Sequence, residues 1–152
     1  MSGVQKKVIF HSDVCIQCHA CQMACKMWRG TERGIYFRRI VPVWERDDSL
    51  GIRLKTRCVA CAHCDHPLCV RACPTGAICK RSDDGIVVVD EQLCTGCGAC
   101  AAACPFAVPQ IGADGRMKKC DLCESQTVTQ DGGAPSCVRA CPTGALEYCS
   151  GA

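Results

Sequence analysis

Apolar positions along this chain come in short clusters, each bounded by polar or turn-forming residues. YFRRIVPVW (36–44) and GIRLKTR (51–57) suggest two strands, joined by the polar turn ERDDS. GAICKRSDDGIVVVDEQ (76–92) reads as a strand-like run, a Ser-Asp-Asp-Gly turn and a second strand over Ile86 to Val89. FAVPQIGADGRMKK (106–119) turns at Ala113-Asp114-Gly115, and ALEY (145–148) predicts a last short strand. Helical stretches are brief: Cys21–Trp28, Pro67–Ala72, Ala99–Ala103 and Ser136–Ala140. Residues 26–57 form the longest cysteine-free stretch and read as an insertion suited to covering a face or meeting a partner.

The chain's length of 152 residues suits one domain or two small ones, and aromatic residues make up 5%, too few for an ordinary aromatic core. No run approaches the roughly 18 apolar residues of a membrane span. Before Cys15 the only apolar run is Val8-Ile9-Phe10, too short for the apolar region of a signal peptide, and Arg38-Arg39 lies mid-chain. The expectation is a cytoplasmic protein with reduced thiols, unless a partner carries it elsewhere.

Cysteine changes the picture: there are 19. Disulfides, zinc sites or iron–sulfur clusters are the three uses that explain such a density. Four pairs have three residues between them: Cys21/Cys25, Cys69/Cys73, Cys100/Cys104 and Cys137/Cys141. A C-x2-C precedes each, at Cys15/Cys18, Cys61/Cys64, Cys94/Cys97 and Cys120/Cys123. The chain therefore repeats C-x2-C-xn-C-x3-C four times, with n of 2, 4, 2 and 13, and leaves Cys58, Cys79 and Cys149 over. Three repeats end in Cys-Pro, and ACPTG occurs at both 72–76 and 140–144; the first repeat ends in Cys25-Lys26 instead.

The first and third repeats have the spacing of the bacterial ferredoxin run, in which three cysteines hold one cubane and the fourth holds its neighbour. Each C-x2-C step curls the backbone around a corner of a cube and turns N–H groups toward its sulfurs. The x3 step places the last two cysteines about one helical turn apart, so that one faces back and one reaches across. A disulfide scaffold lacks the oxidising context it needs, and a zinc-binding module lacks the x3-Cys-Pro ending. The formal charge of +3 also changes meaning. Four oxidised cubanes with their thiolates carry about −2 each and bring the total to about −5, which argues against nucleic acid as a partner.

The 20 residues between Cys73 and Cys94 suit one hairpin, so the natural parse joins repeats two and three. It makes 58–104 one ferredoxin-like unit, and 1–57 with 105–152 the other, holding repeats one and four and the insertion 26–57. Spacing leaves open the alternative of one with two and three with four. In repeat two, Cys58, Cys61 and Cys64 form a rival C-x2-C-x2-C, but that choice strands Cys73, the cysteine before proline. Cys58 is taken as the spare.

CIQCHACQMACK, then CAHCDHPLCVRACPTGAICKRSDDGIVVVDEQLCTGCGACAAACPFAVPQ, then MKKCDLC and CVRACPTGAL resemble the iron–sulfur subunits of the dimethyl sulfoxide reductase family over about residues 11–148. The compact form is similar to the small subunit of tungsten aldehyde oxidoreductases. The resemblance implies a small, cluster-dominated α+β fold of two fused ferredoxin-like units with pseudo-twofold symmetry. It pairs motif one with four and two with three, and thus implies four [4Fe–4S] clusters. The ligand sets are Cys15, Cys18, Cys21 and Cys141 for motif one, and Cys61, Cys64, Cys69 and Cys104 for motif two. They are Cys94, Cys97, Cys100 and Cys73 for motif three, and Cys120, Cys123, Cys137 and Cys25 for motif four. It implies a non-catalytic electron-transfer subunit in a hetero-oligomer. Its partners are a tungsten or molybdenum pterin subunit and a flavin-containing, NAD-linked subunit, with no membrane span of its own. A free, diffusible polyferredoxin is the alternative.

His19, His63 and His66 stand in or beside ligand loops and are expected to make hydrogen bonds there. Arg57, Arg71, Lys118, Lys119 and Arg139 read mostly as solvated charges, some of them able to raise a cluster's potential. Trp28 and Trp44 are expected to pack, and Cys79 and Cys149 to be small buried apolar residues on strands.

Overall fold

The computed structural model describes residues 5–49, 51–124 and 133–150. It is a small α+β structure of four two-stranded antiparallel sheets and four short α-helices. The strands are β1 (Lys7–Phe10), β2 (Arg38–Asp47), β3 (Gly51–Ala60), β4 (Ile78–Lys80), β5 (Val87–Val89), β6 (Gln110–Ile111), β7 (Met117–Lys118) and β8 (Leu146–Cys149). The helices are α1 (Ala20–Arg29), α2 (Leu68–Ala72), α3 (Ala99–Ala103) and α4 (Ser136–Arg139).

Helix length follows from one residue choice. Cys73 and Cys104 are themselves the C-terminal caps of α2 and α3, and Ala140, just before Cys141, caps α4. Proline follows all three cysteines and cannot continue a helix, so these helices stop after four or five residues. Lys26 stands in that place in the first repeat, and α1 runs ten residues to a left-handed Gly30. Lys26 then fastens the start of the insertion, its Nζ donating to the carbonyls of Glu32 at 2.8 Å and Ile35 at 3.1 Å.

The chain ends meet, because β1 pairs with β8 in a register of Val8 with Tyr148 and Phe10 with Leu146. β4 pairs with β5 across the Ser-Asp-Asp-Gly turn. α1 packs against α4, and α2 against α3. One buried cluster gathers Cys21, Cys25, Ile35, Phe37, Ile40, Cys137 and Leu146; a second gathers Ile78, Val87, Cys100 and Met117. Full burial of Ile86 and Val87 contributes about 2 kcal/mol each. With apolar clusters this small, the cysteine sites are a large part of the interior.

The β2–β3 hairpin is the insertion. It pairs over ten residues on each strand, reaches Ala60 and so includes Cys58, opposite Ile40. Met117 on β7 belongs to the second cluster, so residues beyond 104 also pack there. Polar groups near the N-terminus tie the two clusters together: the Gln5 amide donates to the His63 carbonyl at 2.9 Å, and Lys6 pairs with Glu124 at 3.2 Å and Asp84 at 3.5 Å. Such partly exposed pairs contribute at most about 1 kcal/mol each.

Three expectations about packing are corrected. Trp44 is 71% exposed and Trp28 is also exposed, because the outer part of the hairpin and the outer face of α1 have nothing packed on them. Cys79 is exposed and Cys149 only half-buried, since a two-stranded sheet buries one face and Cys79 points to the other, next to buried Ile78. Lys119 is buried at 6% exposure, whereas Arg57, Arg71 and Arg139 are exposed as expected.

Candidate iron–sulfur sites

The four C-x2-C loops share one backbone device. The second residue between each first pair of cysteines is left-handed: Gln17 (φ 55°), His63 (φ 46°), Gly96 (φ 69°) and Leu122 (φ 57°). Only one of the four is glycine, so three side chains accept an unfavourable conformation, a strain that collects at functional sites. A further left-handed residue, His19 or Gly98, starts the helix in the first and third repeats. The turn directs N–H groups at sulfur: that of Leu122 donates to Cys120 Sγ at 3.3 Å. From β7, the Met117 N–H reaches Cys94 Sγ at 3.3 Å.

The Cys-Pro turns are built alike. Gly76, Ala107 and Gly144, each three residues past the cysteine, are left-handed. Thr75 Oγ1 lies 3.6 Å from Cys73 Sγ, and Thr143 Oγ1 lies 3.8 Å from Cys141 Sγ. The Ala145 N–H donates to Cys141 Sγ at 3.2 Å. Burial raises both thiols, but the threonine hydroxyl and three backbone N–H groups outweigh it and hold both below the ordinary cysteine value. These turns are therefore made for thiolate.

Cysteines distant in sequence gather around common hollows. Cys73 stands with Cys94, Cys97 and Cys100 around one hollow. Cys15, Cys18, Cys21 and Cys141 line another. Cys61, Cys64, Cys69 and Cys104 line a third. The remaining set is packed most deeply: Cys25, Cys123 and Cys137 are buried and Cys120 lies against the same cluster. Burial pushes the Cys25 thiol up to about 12, with neighbouring Cys137 and Cys123 adding to the shift. Among the described residues no three His, Cys, Asp or Glu side chains converge closely enough to hold a single ion. In three of the four sets the thiols surround a space instead of meeting at a point, and all 19 cysteines are free of disulfides. Four thiols around a hollow, with backbone N–H groups directed at the sulfurs, fit an iron–sulfur cluster.

The spare cysteines fall elsewhere. Cys58 is absent from the lining of the Cys61 hollow; it packs on the cluster of Cys21, Cys25 and Cys137, where Arg38 Nη1 donates to its sulfur at 2.7 Å. The run of cysteines in 58–73 thus serves two regions, which spacing alone does not reveal. His63 is 1% exposed and its Nδ1 accepts the Val87 N–H at 3.0 Å, which leaves the ring proton on Nε2. Burial, then the Lys119 charge, depress its basicity to about 3, so the ring is neutral. Nε2 has no partner among the described residues, an orphan donor beside a ligand loop. Lys119 lines the Cys61 hollow while its ammonium donates to the carbonyls of Val87 and Cys120. Sequence reasoning missed Arg38 because nothing local marks it; only the register of Ile40 with Cys58 brings it to the cysteines.

Comparison with known proteins agrees with this architecture. A 4Fe–4S dicluster domain matches residues 53–150, and a 4Fe–4S binding domain matches residues 12–28. The chain is 40% identical over 145 residues to the probable anaerobic dimethyl sulfoxide reductase chain YnfG of Escherichia coli, covering 90% of this chain and 69% of that one. It is 38% identical over 148 residues to an anaerobic dimethyl sulfoxide reductase chain of Haemophilus influenzae, covering 91% and 71%. It is 34% identical over 168 residues to a sulfite dehydrogenase subunit of Allochromatium vinosum, covering 95% and 68%. With cysteine sites fit for iron–sulfur clusters and a dicluster domain over most of its length, the chain belongs to the iron–sulfur subunit family of the dimethyl sulfoxide reductases.

Proposed function

We propose that this chain is a non-catalytic electron-relay subunit that holds four [4Fe–4S] clusters through sixteen cysteines. The supporting observation is that each crossing cysteine before a proline stands with the first three cysteines of another repeat. Cys73 is with the third repeat, Cys104 with the second and Cys141 with the first. Cys25, which precedes Lys26, is with Cys123 and Cys137 of the fourth. Repeats one and four then form one ferredoxin-like unit and two and three the other, with pseudo-twofold symmetry. The sequence draws the unit boundaries at 57/58 and 104/105; we propose to move them to the end of the hairpin at Ala60 and the end of β7 at Lys118.

When bound, each cluster supplies a one-electron carrier, cycling between the +2 and +1 states. The residues set its surroundings. Loop N–H groups and the Thr75 and Thr143 hydroxyls stabilise thiolate, and apolar neighbours such as Ile78 and Leu146 exclude water. The exchanged cysteines and the electrostatics between sets support a linear order of three, two, four, one: two shares cysteines with three and four with one, and a charge on Cys61 of motif two acts on Cys120 of motif four.

The relatives' names support a place in a multi-subunit oxidoreductase. We propose a molybdenum or tungsten pterin subunit next to motif one and a second redox partner, a flavin-containing NAD-linked subunit, at the other end. We further propose a cytoplasmic location, where the thiols that hold the clusters stay reduced. No helix among the described residues is long and apolar enough to cross a membrane. Anaerobic purification with iron and sulfide analysis tests the relay: about 16 of each per chain are expected, four per cubane. Stoichiometric zinc overturns it. Co-purification of a large pterin-containing subunit is expected; full electron-carrier activity from a chain that purifies alone replaces the subunit reading with a diffusible polyferredoxin.

A further inference from the structure

Arg38 begins β2, yet it is 5% exposed. Among the described residues it makes no ion pair with a carboxylate, and its guanidinium donates to Cys58 Sγ at 2.7 Å. Its other charge partners are also sulfur: Cys137 and Cys120 act on it, and it acts in turn on Cys21 and Cys25. A guanidinium does not shed its proton inside a protein, so the charge is permanent. A buried charge with only neutral thiols around it is unfavourable, and thiolates bound to a cluster remove that imbalance. Cys25, Cys120 and Cys137 are three of the four ligands assigned above to motif four.

The other sites differ. The hollow of motif three has no basic side chain in its lining, and that of motif one has only His19, which is exposed. Lys119 attends motif two. Arg29, paired with Asp121, also acts on Cys25 and Cys123 of motif four, and Arg38 is the charge there with no carboxylate partner among the described residues, set deep where the field of a fixed charge is little screened.

We propose that Arg38 raises the reduction potential of the motif-four cluster and that Cys58, outside every ligand set, holds its guanidinium in place. The inference rests on the four-cluster reading. One electron arriving from a neighbouring cluster takes the centre and its four thiolates from about −2 to about −3. Arg38 keeps its proton, so no proton moves, and the added negative charge is stabilised more than the oxidised form. Cys58 is then a positioning residue, not a ligand.

Redox titration followed by EPR on the anaerobically purified full chain tests this, with the motif-four signal identified by its loss in Cys123→Ser. In Arg38→Gln that signal's midpoint moves to lower potential, so that its reduced fraction at the wild-type midpoint falls several-fold, while the motif-two and motif-three midpoints stay in place and that of motif one, whose ligand Cys21 Arg38 also faces, moves by less. Arg38→Lys restores most of the shift. Cys58→Ala keeps the full iron count and moves the same signal in the same direction by less. An unchanged motif-four midpoint in Arg38→Gln, or an equal shift of all four, overturns the proposal. If Arg38→Gln assembles less iron, Cys58→Ala decides: no movement of the motif-four signal overturns it. If the wild type holds well under 16 iron or Cys123→Ser removes no signal, the four-cluster reading fails, and the role of Arg38 with it.

Discussion

The Cys-Pro-Thr-Gly turns at 73–76 and 141–144 are near copies, and so is what surrounds them. Each turn leads into a buried alanine, Ala77 or Ala145, and then a short strand, β4 or β8. Each cysteine is touched by its threonine hydroxyl at 3.6 or 3.8 Å, and each follows a helix that packs on one other helix. The regions differ in what is added. Beside Cys141 lie the β2–β3 hairpin, Arg38 and Cys58; beside Cys73 lies only the short β6–β7 ribbon. The cluster frame was therefore reused, while charge and exposed surface were supplied by an insertion that makes one half unlike the other.

Removing the iron is the strongest way to break that comparison. Both halves use cysteine sites as interior, so chelation of iron from the reduced protein unfolds both together. Amide hydrogen exchange is expected to lose protection in β1–β8 and β4–β5 together, alongside a single far-UV circular dichroism transition. Retained amide protection in β4–β5 alone would show that the second half stands by itself.

Single cysteines come next. Cys73→Ser is expected to damage or convert the cluster of the third motif and leave that of the second, whereas Cys58→Ser keeps all four. Iron counts and reduced-state EPR decide it: a cluster lost from Cys58→Ser with none lost from Cys73→Ser reverses the assignment.

Glycines give a finer comparison. A side chain at Gly96 would collide with the Gly115 carbonyl oxygen, but Gly76, Gly98 and Gly144 face open space; all four are left-handed. Gly96→Ala is expected to cost about 3 kcal/mol or more, and Gly98→Ala about 1 kcal/mol. Gly76→Ala and Gly144→Ala should each cost about 1 kcal/mol, and thermal unfolding that separates the two by much more would deny that the turns are equivalent.

The hairpin gives the smallest effect on the chain itself. Trp44, Ile52 and Leu54 lie on one exposed face of it. Trp44→Glu is expected to change stability by no more than about 0.5 kcal/mol and to leave the iron count intact, while weakening recovery of the large subunit several-fold. Unchanged co-purification would place the partner elsewhere.

Much of this was legible in the sequence because ligand chemistry is local. Cysteine spacing, Cys-Pro endings and the repeated ACPTG mark the loops, and proline at 74, 105 and 142 ends α2, α3 and α4 without help from tertiary contacts. The hairpins of 38–60 and 78–89 follow from short β-branched runs flanking polar turns, which are also local. Burial was less legible: a lysine next to a ligand and a cysteine on a strand read alike whether or not something covers them, so Lys119 and Cys79 came out opposite to expectation. The sequence by itself determined the number of motifs, their turns and their affinity for iron–sulfur chemistry. The tertiary structure alone decided which cysteines share a hollow, that Cys58 leaves its neighbours for the cluster around Cys137, and that Arg38 is buried there. Those outcomes depend on strand register and on contacts between residues up to a hundred or more positions apart, and a chain can satisfy them only once it has closed on itself.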